Sequence, residues 1–93
     1  MTSDSESLWQ ELTIVNELGL HARSAAKLAK KAQQAAGPVW LELGDARVDA
    51  KQVIDILSLA AAQGDRVRVV IEASADIETL KDIAALFSSG FGE

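Results

Sequence analysis

The only histidine of the chain, His21, lies in the stretch NELGLHARSAAKLAKKA, which begins at Asn16. A helical pattern opens directly after it, and Arg23 follows two places later. Helix N-termini present unpaired N–H groups and a partial positive charge, and they therefore bind anions. A neutral imidazole nitrogen is a nucleophile that can form a covalent intermediate. The spacing therefore indicates that His21 could accept a phosphoryl group, with Arg23 donating charge-assisted hydrogen bonds to its oxygens.

The same residues also have a purely structural interpretation. A histidine at the start of a helix can cap that helix or fill space, and Gly19 can simply turn the chain. If His21 is instead an acceptor, Gly19 would let the backbone bend and keep the imidazole ring uncrowded. The residues by themselves leave both interpretations open.

Composition limits the other kinds of chemistry. The chain has 93 residues, of which 48% are hydrophobic, and this suits one small domain with a buried core. It has no cysteine, which excludes disulfides and thiolate metal sites. One histidine cannot build a His-rich metal site. We therefore expect neither a metal nor another cofactor.

Charge and hydropathy indicate the kind of partner and the compartment. The net charge is −5, which argues against nucleic acid as a partner. The basic residues beside His21 are either a solvated helix face or a positive field directed at an anion or an acidic partner. These residues are Arg23, Lys27, Lys30 and Lys31. No apolar run is long enough to cross a bilayer, and the acidic start MTSDSES is unlike a signal peptide. We expect a soluble, cytoplasmic protein without membrane insertion.

Hydrophobic periodicity predicts the element order β-α-β-β-α-β-α. The predicted elements are a strand over 8–15, a helix over 22–36, a hairpin formed by VWLEL and ARVDA, a helix over 52–62, a strand over 66–73 and a final helix. Gly37-Pro38 ends the first helix, and Asp76 is expected to cap the last one. The apolar stripe of that last helix comprises Ile77, Leu80, Ile83, Ala84 and Phe87.

Only the hairpin joins consecutive strands, so the order fits helices on one face of a mainly antiparallel sheet. The predicted fold class is α+β, a two-layer open-faced sandwich with a four-stranded antiparallel sheet and three helices on one face. We expect one domain over 8–93, preceded by a flexible tail over 1–7.

The segment around His21 resembles the active-site segment of the HPr family, the histidine phosphocarriers of the bacterial phosphotransferase system. The family motif reads roughly G-[LIM]-H-[AT]-R-P-A, and the matching residues are Gly19, Leu20, His21, Ala22, Arg23, Ala25 and Ala26. DAKQVIDILSLAAAQGD is similar to a second family block, and ALFSSGFGE to the ends of many proteobacterial members. The resemblance covers nearly the whole chain from Leu8 on, and the family has the predicted element order.

The resemblance implies a phosphoryl carrier. His21 would accept a phosphoryl group on Nδ1 from phospho-enzyme I, which takes it from phosphoenolpyruvate, and would pass it to enzyme IIA proteins. Arg23 would stabilise the bound group. Such a protein is a stoichiometric carrier and not an enzyme, and we expect a monomer. The alternative is a nitrogen-related or regulatory HPr paralogue that acts mainly by protein–protein binding.

The resemblance also implies a docking surface for these partners on the first two helices. The implied contact residues are Ala22, Arg23, Ala26 and Lys30 on the first helix, and Val53, Ile54 and Leu57 on the second. Core packing is the competing interpretation for Val53 and Leu57. Ile54 is the best candidate for an exposed apolar contact.

Two positions depart from the family pattern. Ser24 stands where the family usually has proline, and its hydroxyl could cap the helix or contact the phosphoryl group. Gln52 stands where many members carry a regulatory serine, so this position cannot be phosphorylated. Ser58 is expected well inside the second helix, where no unpaired N–H groups would stabilise a phosphate. It would therefore be a poor alternative site for the regulatory phosphorylation.

Overall fold

The computed structural model describes residues 7–93, so the predicted tail over 1–7 lies, apart from Ser7, outside the described residues. The strands are β1 (Trp9–Thr13), β2 (Val39–Leu43), β3 (Ala46–Asp49) and β4 (Arg66–Ile71). The helices are α1 (Ala22–Ala32), α2 (Val53–Ser58) and α3 (Ile77–Ser88), with 3₁₀ turns at Ser74–Asp76 and Gly90–Gly92. The α and β elements follow in the predicted order.

The strands form one antiparallel sheet in the order β1-β4-β2-β3. Alternate side chains of the two central strands are buried beneath the helices: Val39, Leu41, Val67, Val69 and Ile71. The opposite face of the sheet is open and carries the half-exposed Trp9 ring over the Arg68 guanidinium. The predicted α+β open-faced sandwich is confirmed.

The helices complete the core with one apolar face each. The buried side chains of α1 are mostly alanines around Leu28, which let this helix lie close to its neighbours. Ile56 of α2 and Leu80, Ile83 and Phe87 of α3 are buried as well. Fully burying an Ile, Leu or Phe side chain contributes roughly 1.5–3 kcal/mol. The predicted stripe of α3 is therefore largely correct, although Ile77 and Ala84 are only half-buried.

Helix α1 ends at Ala32, four residues before the predicted end. The N–H groups of Gln34 and Ala35 donate to carbonyls three residues back, which tightens the chain into turns. The next two N–H groups, of Ala36 and Gly37, donate to the Asp76 carboxylate at 2.8 Å each. Contacts with a distant part of the chain therefore end this helix.

Helix α2 is also shorter than the predicted 52–62. The N–H groups of Leu59 and Ala60 donate to carbonyls three residues back, and Ala60 has a left-handed φ of 50°. Ser58 is consequently the last residue of the helix, which corrects the expectation that it lies well inside. Strands β1 and β4 are likewise shorter than predicted, although Leu8 and Ile14 still make backbone hydrogen bonds across from β1 to Ile71 and Asp65.

Asp76 does not cap α3, which corrects the sequence prediction. It directly precedes the helix, but its side chain makes no hydrogen bond to it. The carboxylate is buried and accepts from the Gly37 and Ala36 N–H groups instead. These two hydrogen bonds lower the pKa of Asp76; burial opposes them, and the nearby Lys51 charge supports them.

We predict that Asp76→Asn lowers the thermal midpoint by several degrees at neutral pH, because an amide offers one oxygen to two N–H donors. A lowered folded pKa means that the stabilisation is present above the unfolded pKa and is lost as the pH falls through the folded value. The difference between wild type and Asp76→Asn should therefore shrink as the pH falls below the ordinary aspartate pKa and through the lowered folded value. Thermal unfolding followed by circular dichroism measures this, with Asp82→Asn, which changes an exposed aspartate on α3, as control. A pH-independent difference would contradict the assignment.

Candidate functional site

The loop before α1 is held against the segment that follows α2. Gly19 has a φ of +67°, and a Cβ placed there would lie 2.5 Å from the Ala61 carbonyl oxygen. The N–H of Leu20 donates to that same oxygen at 3.0 Å. Glycine is thus required both by the left-handed backbone and by the close approach. Any side chain at this position would collide with the Ala61–Ala62 backbone.

His21 is the N-cap residue of α1, with extended backbone angles. Its Nδ1 accepts a long hydrogen bond of 3.3 Å from the Arg23 N–H, and its Nε2 lies 2.6 Å from Glu93 Oε2. The side chain is 28% exposed. The capping interpretation and the anion-site interpretation thus describe the same geometry, because the ring lies against the unpaired N–H groups of the first turn.

Ser24 supplies the other half of a reciprocal cap. Its Oγ accepts from the His21 N–H at 3.0 Å, and its own hydrogen can go to the carbonyl of Gly19 at 3.0 Å or of His21 at 3.2 Å. The side chain is fully buried. Of the two roles considered for Ser24, the cap is the one that the structure shows. The hydroxyl joins the loop, the histidine backbone and the helix.

The four basic residues of the first helix make different contacts in the folded chain. The Arg23 side chain is 67% exposed, with Nε 3.5 Å from Glu93 Oε2. Lys27 donates to the Phe91 carbonyl at 2.6 Å. The other two, Lys30 and Lys31, lie in the last turn of α1, where cations favour the helix dipole. Of these four residues, Arg23 is the one whose side chain forms an ion pair with the carboxylate that contacts His21.

Two residues of the site were missed by the sequence analysis: Asn16 and Glu93. Asn16 Nδ2 donates to the Gly19 carbonyl at 2.7 Å and to Glu93 Oε1 at 3.0 Å. Glu93 Oε2 lies between His21 and Arg23. Glu93 is 72 residues from His21 in sequence, so no local spacing could have indicated it. Asn16 offered only the weak signal of a polar residue directly after an apolar strand.

The surroundings of Glu93 favour its ionised form. Partial burial works against the charge, but the hydrogen bonds from Asn16 and His21 and the positive charges of His21 and Arg23 outweigh it. The pKa of Glu93 is therefore lower than usual. The site thus already holds one anion, a carboxylate, beside the histidine.

A shallow cavity of about 230 Å³ adjoins this group. It is lined by Asn16, Glu17, Leu18, Arg23 and Glu93. Leu18 is 65% exposed at its rim, and Val15 in the same loop is half-exposed. Leu18 and Val15 thus expose apolar surface beside the polar group formed by Asn16, Arg23 and Glu93.

The residues expected to dock partners lie on the exposed sides of α1 and α2, which pack against each other. Ala22, Ala26 and Lys30 are exposed at successive four-residue steps, which places them in one stripe along α1. Ile54 is 81% exposed and Leu57 36%.

Val53 is half-buried against the core, in agreement with the competing interpretation for that residue. Gln52 is the exposed N-cap residue of α2, and its side chain makes no capping hydrogen bond. The Ser58 hydroxyl donates to the Asp55 carbonyl at 2.6 Å.

Two negative findings apply to residues 7–93 alone. Within that range no three acidic, histidine or cysteine side chains are grouped to hold a metal ion. No helix in this part of the chain has the length and apolar content needed to cross a membrane.

The architecture is an open-faced sandwich in which a histidine caps the first helix. A family model described as "PTS HPr component phosphorylation site" matches residues 9–89. Phosphocarrier protein HPr of Neisseria meningitidis serogroup A is 34% identical over 86 residues, which cover 92% of this chain and 97% of that protein. Phosphocarrier protein NPr of Klebsiella oxytoca is 35% identical over 85 residues, which cover 90% and 94%.

The fold is similar to that of a solved structure as well. The crystal structure of HPr-C-His from Thermoanaerobacter tengcongensis has a TM-score of 0.86 and 34% identity, covering 91% of this chain and 96% of that one. The chain belongs to the HPr family of the phosphotransferase system, and the resemblance drawn from the sequence is confirmed.

The cap supplied by Ser24 leads to a stability prediction. Ser24→Ala removes both hydroxyl hydrogen bonds and should cost about 1 kcal/mol, the usual effect of losing a helix cap. For a domain of this size that corresponds to a thermal midpoint lowered by roughly 4–8 °C. Ser88→Ala, an exposed serine at the end of α3, is the matched control. Equal midpoints for the two variants would show that the Ser24 hydroxyl does not stabilise the helix.

Proposed function

We propose that this protein carries a phosphoryl group on His21, which it accepts from phospho-enzyme I and passes to enzyme IIA proteins. The single observation that carries the proposal is the position of His21: it caps α1 with Nδ1 facing the Arg23 N–H. A group bonded to Nδ1 would lie at the helix N-terminus, the end that favours anions. Membership of the HPr family supports the same role.

In the transfer step the Nδ1 lone pair attacks phosphorus, and the bond from phosphorus to the donor breaks with its electron pair leaving to the donor. Nδ1 can then no longer accept the Arg23 N–H. A phosphoryl oxygen replaces it as acceptor, so the N–H keeps a partner on both sides of the reaction. The Arg23 side chain, which is exposed, can turn from Glu93 toward the same oxygens.

The expected stabilisation of the product is moderate, as a carrier requires. The helix dipole contributes about 0.3–1 kcal/mol at an exposed site. A hydrogen bond from a charged group such as Arg23 contributes about 1.5–3 kcal/mol. Because the site is shallow and partly exposed, an acceptor can reach the phosphoryl group directly. Phosphoryl transfer asks mainly for positioning and charge stabilisation.

The partner surface proposed here lies around His21 on α1 and α2. Ala22 and Ala26 are small and exposed, so a partner can approach the helix closely, and Ile54 offers a protruding apolar contact. Arg23 and Lys30 give this stripe a positive charge on an acidic chain. This arrangement suits a partner with an acidic rim and an apolar centre.

In this role the protein is a stoichiometric cytoplasmic carrier and not an enzyme, acts as a monomer, and needs no cofactor. Gln52 at the start of α2 has no hydroxyl, so regulation by a serine phosphate at this position is absent. The second candidate is a nitrogen-related or regulatory paralogue. It is favoured by the NPr of Klebsiella oxytoca, which is as similar to this chain as the HPr relatives are. Comparing enzyme I proteins from the two branches as donors distinguishes the candidates.

We predict that His21 is the only acceptor in the transfer. After incubation with enzyme I and phosphoenolpyruvate, intact mass should show one added phosphoryl group on the wild type and none on His21→Ala. His21→Asn is the sharper variant, because asparagine keeps the N-cap and lacks the nucleophile. A phosphorylated His21→Asn protein, or an unmodified wild type beside an active reference carrier, would refute the proposal.

A second prediction concerns Ile54 and enzyme I. Ile54→Ala should weaken binding several-fold without moving the thermal midpoint, since the side chain is 81% exposed. Calorimetric titration with enzyme I measures the affinity. Trp9→Ala serves as control, because it truncates an exposed apolar side chain on the opposite, open face of the sheet. Equal effects of the two variants would place the docking surface elsewhere.

A further inference from the structure

Glu93 contacts the edge of the His21 ring that the proposed transfer does not use. Its Oε2 lies 2.6 Å from Nε2, whereas Nδ1 faces the Arg23 N–H at 3.3 Å. An N–H donor at Nδ1 requires a lone pair there, and in a neutral imidazole the proton is then on Nε2. A carboxylate is an acceptor only, so it favours the same tautomer. Both neighbours of the ring therefore select Nε2–H.

Asn16 holds the carboxylate in place. It is 7% exposed, and its Nδ2 is shared between the Gly19 carbonyl and Glu93 Oε1. Asn16 Oδ1 has no hydrogen-bond partner within residues 7–93, which is a cost for a buried polar atom. The orientation of the Asn16 side chain is therefore set by the hydrogen bonds that its Nδ2 group donates.

Contacts of the C-terminal turn hold Glu93 beside His21. The Phe91 ring is buried and packs edge-on against Phe87, with ring centroids 4.9 Å apart. Lys27 of α1 donates to the Phe91 carbonyl at 2.6 Å. Phe91 also has a φ of 59°, a left-handed conformation that a bulky residue adopts only where its surroundings demand it. The chain therefore folds back over the start of α1, and the Glu93 side chain is only 12% exposed.

We propose that Glu93, held by Asn16, is a positioning residue that keeps the His21 proton on Nε2 and so leaves Nδ1 free as the nucleophile. The inference rests on the proposed phosphoryl transfer for its purpose, but the tautomer itself is a property of the resting protein. Histidines that act as nucleophiles or bases commonly need a neighbouring acceptor to fix the tautomer and the ring orientation. Glu93 contacts the edge of the ring opposite Nδ1. Its ionised form is stabilised by the hydrogen bond from Asn16 and by the positive charge of Arg23.

The test uses nitrogen-15 spectra of the ring at alkaline pH, where imidazole is neutral. His21 is the only histidine, so one ring gives all the signals. The wild type should show Nε2 protonated in nearly all molecules. Glu93→Ala should show a mixture of tautomers, and Asn16→Ala a smaller change in the same direction. Glu78→Ala, which removes an exposed glutamate on α3, should match the wild type.

The rate of phosphorylation by enzyme I decides whether the tautomer matters. Glu93→Ala should slow it several-fold, while the thermal midpoint is compared to exclude a loss of fold. A faster reaction would mean that Glu93 only withholds Arg23 from the phosphoryl group, and it would overturn the positioning role. Identical ring spectra for wild type and Glu93→Ala would overturn it as well. If even the wild type is not phosphorylated, the proposed function fails, whereas the spectra still decide the tautomer.

Discussion

The close approach of Gly19 to the Ala61 carbonyl is the constraint on which the site depends. The backbone of the loop before α1 touches the backbone of the segment after α2, and the Leu20 N–H donates to the same oxygen. Any Cβ at Gly19 would separate the two segments. The contact fixes where α1 begins, and therefore where the unpaired N–H groups of its first turn point. It also brings the start of α1 beside α2, whose exposed Ile54 belongs to the proposed docking surface.

Around that contact, hydrogen bonds join polar groups from three segments of the chain. Ser24 links the His21 N–H to the Gly19 carbonyl, and Asn16 links the same carbonyl to Glu93. The histidine ring is then held at both nitrogens by groups from different parts of the chain. This explains how a partly exposed side chain can be oriented without a deep pocket. A carrier benefits from this arrangement, because the nucleophile is fixed and the approach to it stays open.

The ends of α1 and α2 are likewise set by contacts with distant parts of the chain. Helix α1 stops where Asp76 accepts its following N–H groups, and α2 stops where the chain must turn to place Ala61 against the loop. Helix propensity would have continued both segments, since alanines follow each of them. A buried carboxylate that must be paired, and a backbone contact that must be made, outweigh the few tenths of a kcal/mol per residue that propensity offers.

The sequence by itself determined the element order, the faces that are buried, and the position of His21 and Arg23 at a helix start. These depend on hydrophobic periodicity and on residues adjacent in the chain, so local rules suffice. It also indicated Ser24 as a possible cap, because a cap lies within one turn of its helix. Only the tertiary structure decided where α1 and α2 end, that Asp76 binds the chain after α1 and not α3, and that Asn16 and Glu93 complete the site. Each of these involves partners tens of residues apart, and such pairs are set by how the layers pack and not by spacing along the chain.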